Sequence, residues 1–101
     1  MNWLWTCGGT CFGFREGDNL WTRNGRHVGR FVGQEVYAPD GTYLGEMMGT
    51  SRLVTRQAAM GRRQQGFTPL GRRIVHTAYP DYSGYPIEAG FQDFPAPGTL
   101  R

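Results

Sequence analysis

Apolar and glycine positions recur through the first half of the chain with a period of sixteen residues. Trp5, Trp21 and Tyr37 share one slot, Leu4, Leu20 and Val36 a second, and Phe12, Val28 and Leu44 a third. Gly9, Gly25 and Gly41 keep the same step, as do Gly13, Gly29 and Gly45, and Gly17, Gly33 and Gly49. Three copies agreeing at six slots form an internal repeat, and such a repeat guides the fold better than local propensity. A fourth copy is fainter: Leu53, Met60 and Gly61 fall on its slots, while Gln57 stands where a turn glycine is expected.

Each copy reads as a β-hairpin. The turn tripeptides are Cys7-Gly8-Gly9, Arg23-Asn24-Gly25 and Pro39-Asp40-Gly41, and glycine accepts the positive φ such turns need. Pro39 suits the first central position of a type I turn, which favours a three-residue turn closed by a glycine bulge. That turn pairs repeat position 4 with 12 and position 5 with 11. Leu4, Leu20 and Val36 then face Phe12, Val28 and Leu44 on one apolar face. Trp5, Trp21 and Tyr37 lie on the other face beside Cys11, His27 and Tyr43, with rings expected across Gly13, Gly29 and Gly45. A two-residue turn would exchange the faces. Gly17-Asp18, Gly33-Gln34 and Gly49-Thr50 read as reversals between hairpins. The fold class expected is therefore all-β: an antiparallel meander of six strands, or eight with a fourth hairpin, with pseudo-rotational symmetry.

The rhythm of residues 20–29 and 36–45, Leu-Trp-Thr-Arg-Asn-Gly-Arg-His-Val-Gly and Val-Tyr-Ala-Pro-Asp-Gly-Thr-Tyr-Leu-Gly, resembles the bacterial 4-fold beta flower proteins. The match covers residues 3–49 well and becomes loose over 50–73. The resemblance implies a small all-β fold of hairpin petals, and it implies no activity.

The second half is organised differently. Residues 51–65 fit a fourth hairpin, a short helix capped by Ser51, or a linker. From Phe67 onward, prolines at 69, 80, 86, 95 and 97 exclude long helices and central strands. Tyr79, Tyr82, Tyr85, Phe91 and Phe94 nonetheless give this stretch apolar area to bury. The chain thus divides into a hairpin-repeat domain over 1–66 and an extended, partly docked tail over 67–101.

Composition narrows the function classes. A chain of 101 residues holds a thin core. All eleven basic residues are arginine, and the net charge is +3. Arg52, Arg56, Arg62, Arg63, Arg72 and Arg73 fall in a stretch without Asp or Glu, which suits an anionic partner such as nucleic acid. Two cysteines, Cys7 and Cys11, make neither a disulfide framework nor a zinc site. There is no leader-like start and no apolar run long enough to span a membrane, so the expected location is the cytoplasm.

No catalytic motif is present: there is no G-x-S-x-G, no P-loop, and Glu16, Glu35 and Glu46 lack the spacing of paired catalytic carboxylates. The expectation is a non-enzymatic scaffold or binding module without cofactor or metal. One alternative is an apolar small molecule or lipid in a central cavity lined by the rings, with Trp5, Trp21, Tyr37, Cys11, His27 and Tyr43 as its contacts; the other is nucleic acid on the arginine stretch. Cys11, His27 and Tyr43 share one slot and would meet only if the hairpins surround an axis, with Cys7 left at an exposed turn. Open strand edges would favour a homo-oligomer.

Overall fold

The computed structural model describes residues 1–100. Seven strands follow one another in space as in sequence: β1 (Asn2–Thr6), β2 (Cys11–Glu16), β3 (Asn19–Thr22), β4 (His27–Val32), β5 (Glu35–Tyr37), β6 (Tyr43–Met48) and β7 (Arg52–Arg56). The start of β7 pairs in parallel with β1, Trp5 opposite Arg52 and Thr6 opposite Leu53, and closes a seven-stranded barrel. An eighth strand, β8 (Phe91–Asp93), pairs with the far end of β7. About 40% of the chain is strand, and the only helical turns among the described residues are two short 3-10 turns, Gln57–Ala59 and Pro97–Thr99.

The pairs β1–β2, β3–β4 and β5–β6 share one register. Trp5 opposes Cys11, Trp21 opposes His27 and Tyr37 opposes Tyr43, as the glycine-closed turn predicts. One step further the register shifts: Leu4 opposes Gly13, Leu20 opposes Gly29 and Val36 opposes Gly45. The expected pairing of position 4 with 12 is corrected by this β-bulge, which carries Phe12, Val28 and Leu44 as the extra residue. A bulge increases local twist, which helps short strands curl into a closed sheet. Closure also pairs the two edges of the hairpin meander on which self-association was expected, leaving only the short outer side of β8 unpaired.

The bulge moves Gly13, Gly29 and Gly45 opposite the inward-facing Leu and Val residues. A Cβ on Gly29 would meet the Val36 side chain at 2.9 Å, and one on Gly13 would lie 2.6 Å from the Thr22 carbonyl carbon. Close neighbouring strands therefore explain these two glycines, in place of the expected ring; only Gly45 faces one, that of Phe94.

Inside the barrel lie Leu4, Phe12, Leu20, Val28, Phe31, Val36, Leu53 and Phe94, all buried, with Leu44, Met47 and Leu100 against them. Phe12 and Phe94 meet edge to face at 5.2 Å. Trp5, Trp21 and Tyr37 are buried as well, but on the opposite side of the strands. The expected central cavity lined by these rings is corrected by the strand alternation, which turns them outward and leaves the Leu, Val and Phe side chains inside.

The faint fourth copy enters one residue late. Two residues link β2 to β3 and β4 to β5, whereas Gly49, Thr50 and Ser51 all lie between Met48 and Arg52. One inserted residue inverts every side chain after it. Leu53 therefore takes the inward place of Val36, and Val54, not Leu53, stands where Tyr37 does. The partner of β7 is not the 60–64 segment but β8, where Asp93 opposes Val54 and Phe94 turns into the core. Pro95 and Pro97 have no N–H to donate, so β8 stops at Asp93 and β7 reaches β1 directly. The 66/67 boundary is thus not a structural division, because the supposed tail supplies a strand and a core ring.

Between β7 and β8 the chain runs as a belt around the outside of the hairpins, visiting them in reverse order. Gln64 N–H donates to the carbonyl of Gly41, Arg73 N–H to that of Gly25 and Tyr82 N–H to that of Gly9, at 2.8–2.9 Å. These anchors are nine residues apart. Phe67 N–H to Pro39 and Tyr85 N–H to Cys7 repeat the arrangement at the third and first hairpins. Phe67, His76 and Tyr85 at the same nine-residue step carry the sequence signal, which the sixteen-residue reading overlooked.

Candidate functional site: the outer face and the cleft under the belt

The outer ring slot is sealed by the belt. The Trp5 indole N–H donates to the Pro80 carbonyl at 2.9 Å, and its ring stacks on Tyr82 with centroids 4.2 Å apart. Trp21 stacks between Phe14 and His27 under Arg73, whose guanidinium lies 5.2 Å above it; its own N–H is buried without an acceptor. Tyr37 meets Tyr43 edge to face and donates its hydroxyl to Glu35. These rings fill space between sheet and belt.

Cys11, His27 and Tyr43 each engage different neighbours. Cys11 packs near Arg23 and Asp81, and its backbone N–H donates to the Asp81 carboxylate at 2.8 Å. His27 uses both ring nitrogens: Nε2 lies 3.0 Å from the Gly29 carbonyl, and Nδ1 accepts the Leu70 N–H at 2.8 Å. Accepting at Nδ1 requires the neutral imidazole with its proton on Nε2. Burial lowers the His27 pKa, and Arg30 adds to the lowering against the Gly29 bond. The Tyr43 hydroxyl donates to Glu46 and accepts the Arg56 N–H, and burial pushes its pKa up to about 12. Nowhere among the described residues do three His, Cys, Asp or Glu side chains gather as metal ligands.

Both thiols are buried and unpaired. The expected exposed turn at Cys7 is corrected: the belt crosses it, and its Sγ lies 3.7 Å from the Tyr85 carbonyl. Burial raises the pKa of Cys7 and of Cys11, so neither is an activated nucleophile.

The arginine stretch is largely committed within the molecule. Buried Arg52 donates to the carbonyls of Thr6, Cys7 and Ser83 and lies over the Tyr85 ring. Arg56 pairs with Glu46 and Glu35, Arg62 with Glu35, and Arg73 with Glu16. Arg63 donates to the Asp40 carbonyl, while Arg72 is exposed. The three glutamates that had no role in the sequence thus pair with Arg56, Arg62 and Arg73 of the stretch that lacked acids.

The space that remains lies where β6 and β7 face the returning belt. A cleft of about 310 Å³ is lined by two carboxylates, Glu46 and Glu88, and by Cys7, Val54 and Pro86 with Met47, Met48, Ile87 and Phe91. A shallower hollow of about 530 Å³ adjoins it, sharing Met48, Pro86 and Glu88. Both lie beside the three-residue turn that shifts the phase of β7. Sequence reasoning singled out neither methionine. The available signal was Met47-Met48 at a strand end where the other copies carry Arg15-Glu16 and Phe31-Val32.

No family model, no curated protein and no solved structure matches this chain. No helix among the described residues is long and apolar enough to cross a membrane.

Proposed function

We propose that this chain is a non-enzymatic binding module of the 4-fold beta flower kind, and that its ligand is a small apolar molecule held in the cleft between β6, β7 and the belt. The observation that carries the reading is the cleft itself. Its volume falls at the lower end of small-ligand sites, which are concave, mostly apolar and carry a few polar groups. Flexible Met47 and Met48 adapt to varied apolar shapes. The ring slot does not compete, because the belt occupies it.

The flower reading takes the eight strands as four pairs around one pseudo-rotational axis, supported by the shared register of β1–β2, β3–β4 and β5–β6. Leu53-Val54-Thr55 corresponds to Leu4-Trp5-Thr6, and Asp93-Phe94 to Cys11-Phe12, so β7 and β8 are the fourth petal with the belt as its enlarged turn. The non-catalytic reading draws support from the raised thiols and from His27, whose two nitrogens are already bonded. Nucleic-acid binding draws less support, since Arg52, Arg56, Arg62 and Arg73 are engaged within the chain. Self-association would need a surface other than the closed sheet edges.

Methionine-methyl NMR tests the ligand reading. The chain has four methionines, of which Met1 and Met60 lie outside the cleft and are exposed. Titration with octanol should shift the Met47 and Met48 methyls saturably and leave the Met60 methyl in place. Equal shifts at all four methionines would refute the site.

A further inference from the structure

A different feature, at the second hairpin, carries an inference independent of the cleft. Of the described arginines, all but two bring the guanidinium to a carboxylate, a backbone carbonyl or an aromatic ring. The two exceptions are Arg26 and Arg72. They come from separate parts of the chain, the β3–β4 turn and the belt, and both line one hollow of about 170 Å³ with His27, Pro69 and Leu70. Like charges gathered without an acceptor repel one another and destabilise the fold.

The charges around the imidazole are all of one sign. Arg26 and Arg72 share the hollow with it, and Arg30, lying over the Phe67 ring, also acts on it. The imidazole is neutral and fixed by Gly29 and Leu70, so it forms a polar wall without adding charge. Beside this group the positive field ends. Arg23 lies 3.9 Å from the Asp81 carboxylate, and Arg73 pairs with Glu16. An anionic polymer needs a run of free cations along its backbone, whereas here two guanidinium groups stand isolated around one small hollow.

We infer that the hollow formed by Arg26, Arg72 and His27 is a binding site for a single phosphate group, carried by a small phosphomonoester or as free phosphate. Guanidinium suits this ligand because its planar array of donors matches phosphate oxygens in pairs. Two such groups offset the double charge of a phosphomonoester at neutral pH. The bound anion also offsets the Arg30 charge that acts on His27, so occupancy should raise the imidazole pKa.

The test is a titration with inorganic phosphate, and then with glycerol phosphate, against chloride at matched ionic strength. Amide and imidazole NMR signals report on it. Phosphate should shift the Leu70 amide and the His27 ring saturably and raise the His27 pKa. Arg26→Ala and Arg72→Ala should each weaken binding at least tenfold, while Arg23→Ala should keep it. Neither the Arg26 nor the Arg72 guanidinium makes a hydrogen bond or ion pair within the described residues, so thermal melts of the two variants should stay close to the wild type. Wild-type affinity in both variants would overturn the site. Stronger binding with glycerol phosphate than with phosphate would assign the ligand to phosphomonoesters, and equal binding would assign it to the free ion. Much tighter, steeply salt-dependent binding of a 12-nucleotide single strand that Arg63→Ala also weakens would overturn the single-phosphate assignment in favour of an extended track.

Discussion

The substitution Gly25→Ala, set against Gly33→Ala, isolates what the belt adds to stability. Both glycines have positive φ, +82° and +62°, where an L residue costs about 1–2 kcal/mol. Their surroundings differ. A Cβ on Gly33 would have nothing within 4 Å, whereas one on Gly25 would run into the Arg73 carbonyl, 2.9 Å from its carbon. The belt must then lift at this point. Lifting breaks the 2.8 Å bond from Arg73 N–H to Gly25, a loss of about 1 kcal/mol. It also draws the Arg73 guanidinium off Trp21 and Phe14, about another 0.5–1 kcal/mol. Gly33→Ala should therefore cost about 1–2 kcal/mol, and Gly25→Ala about 2.5–4 kcal/mol. Urea unfolding followed by tryptophan fluorescence measures the difference, and hydrogen exchange at the Arg73 and Leu70 amides localises it. Equal losses in the two variants, with unchanged exchange at Arg73, would refute the reasoning.

Three further outcomes follow from the geometry. His27 is neutral in the fold with a lowered pKa, while the unfolded chain takes up the proton near pH 6.5; its contribution is therefore complete above about pH 6.5 and is lost as pH falls through the folded value. Urea midpoints between pH 7.5 and 5.5 should fall for the wild type, and His27→Gln should flatten that slope. Timed alkylation of the native protein with mass spectrometry should label Cys7 and Cys11 both slowly, and unfolding should release both; rapid labelling of Cys7 alone would contradict the belt crossing at that turn. Phe94→Ala should cost about 3–5 kcal/mol, as for a buried core ring, and an effect below about 1 kcal/mol in thermal or urea unfolding would show that β8 is not part of the barrel core.

The sixteen-residue period by itself determined the class of fold, the three strand pairs and the division of their two faces. Those features depend on local turn chemistry and on alternation, both written into adjacent residues such as Pro39-Asp40-Gly41 and Leu20-Trp21. It also paired Trp5 with Cys11 correctly, because the turn sets the first rung. The next rung was decided by the closed sheet as a whole, in which a bulge at Phe12, Val28 and Leu44 supplies twist that closure needs. The fourth pair was out of reach for a different reason. One residue among Gly49, Thr50 and Ser51 shifts the phase, and the partner strand lies beyond the belt, so no local pattern joins Val54 to Asp93. The belt carried its own nine-residue rhythm, but the step means something only once hairpin tips are spaced around a barrel for it to meet. The candidate sites were least legible of all. The cleft depends on the belt bringing Pro86, Ile87 and Phe91 beside Met47 and Met48, and the arginine pair depends on which guanidinium groups find a partner. Glu16, Glu35 and Glu46 pair with half of the arginine stretch, and only tertiary contact could show that Arg26 and Arg72 were left together.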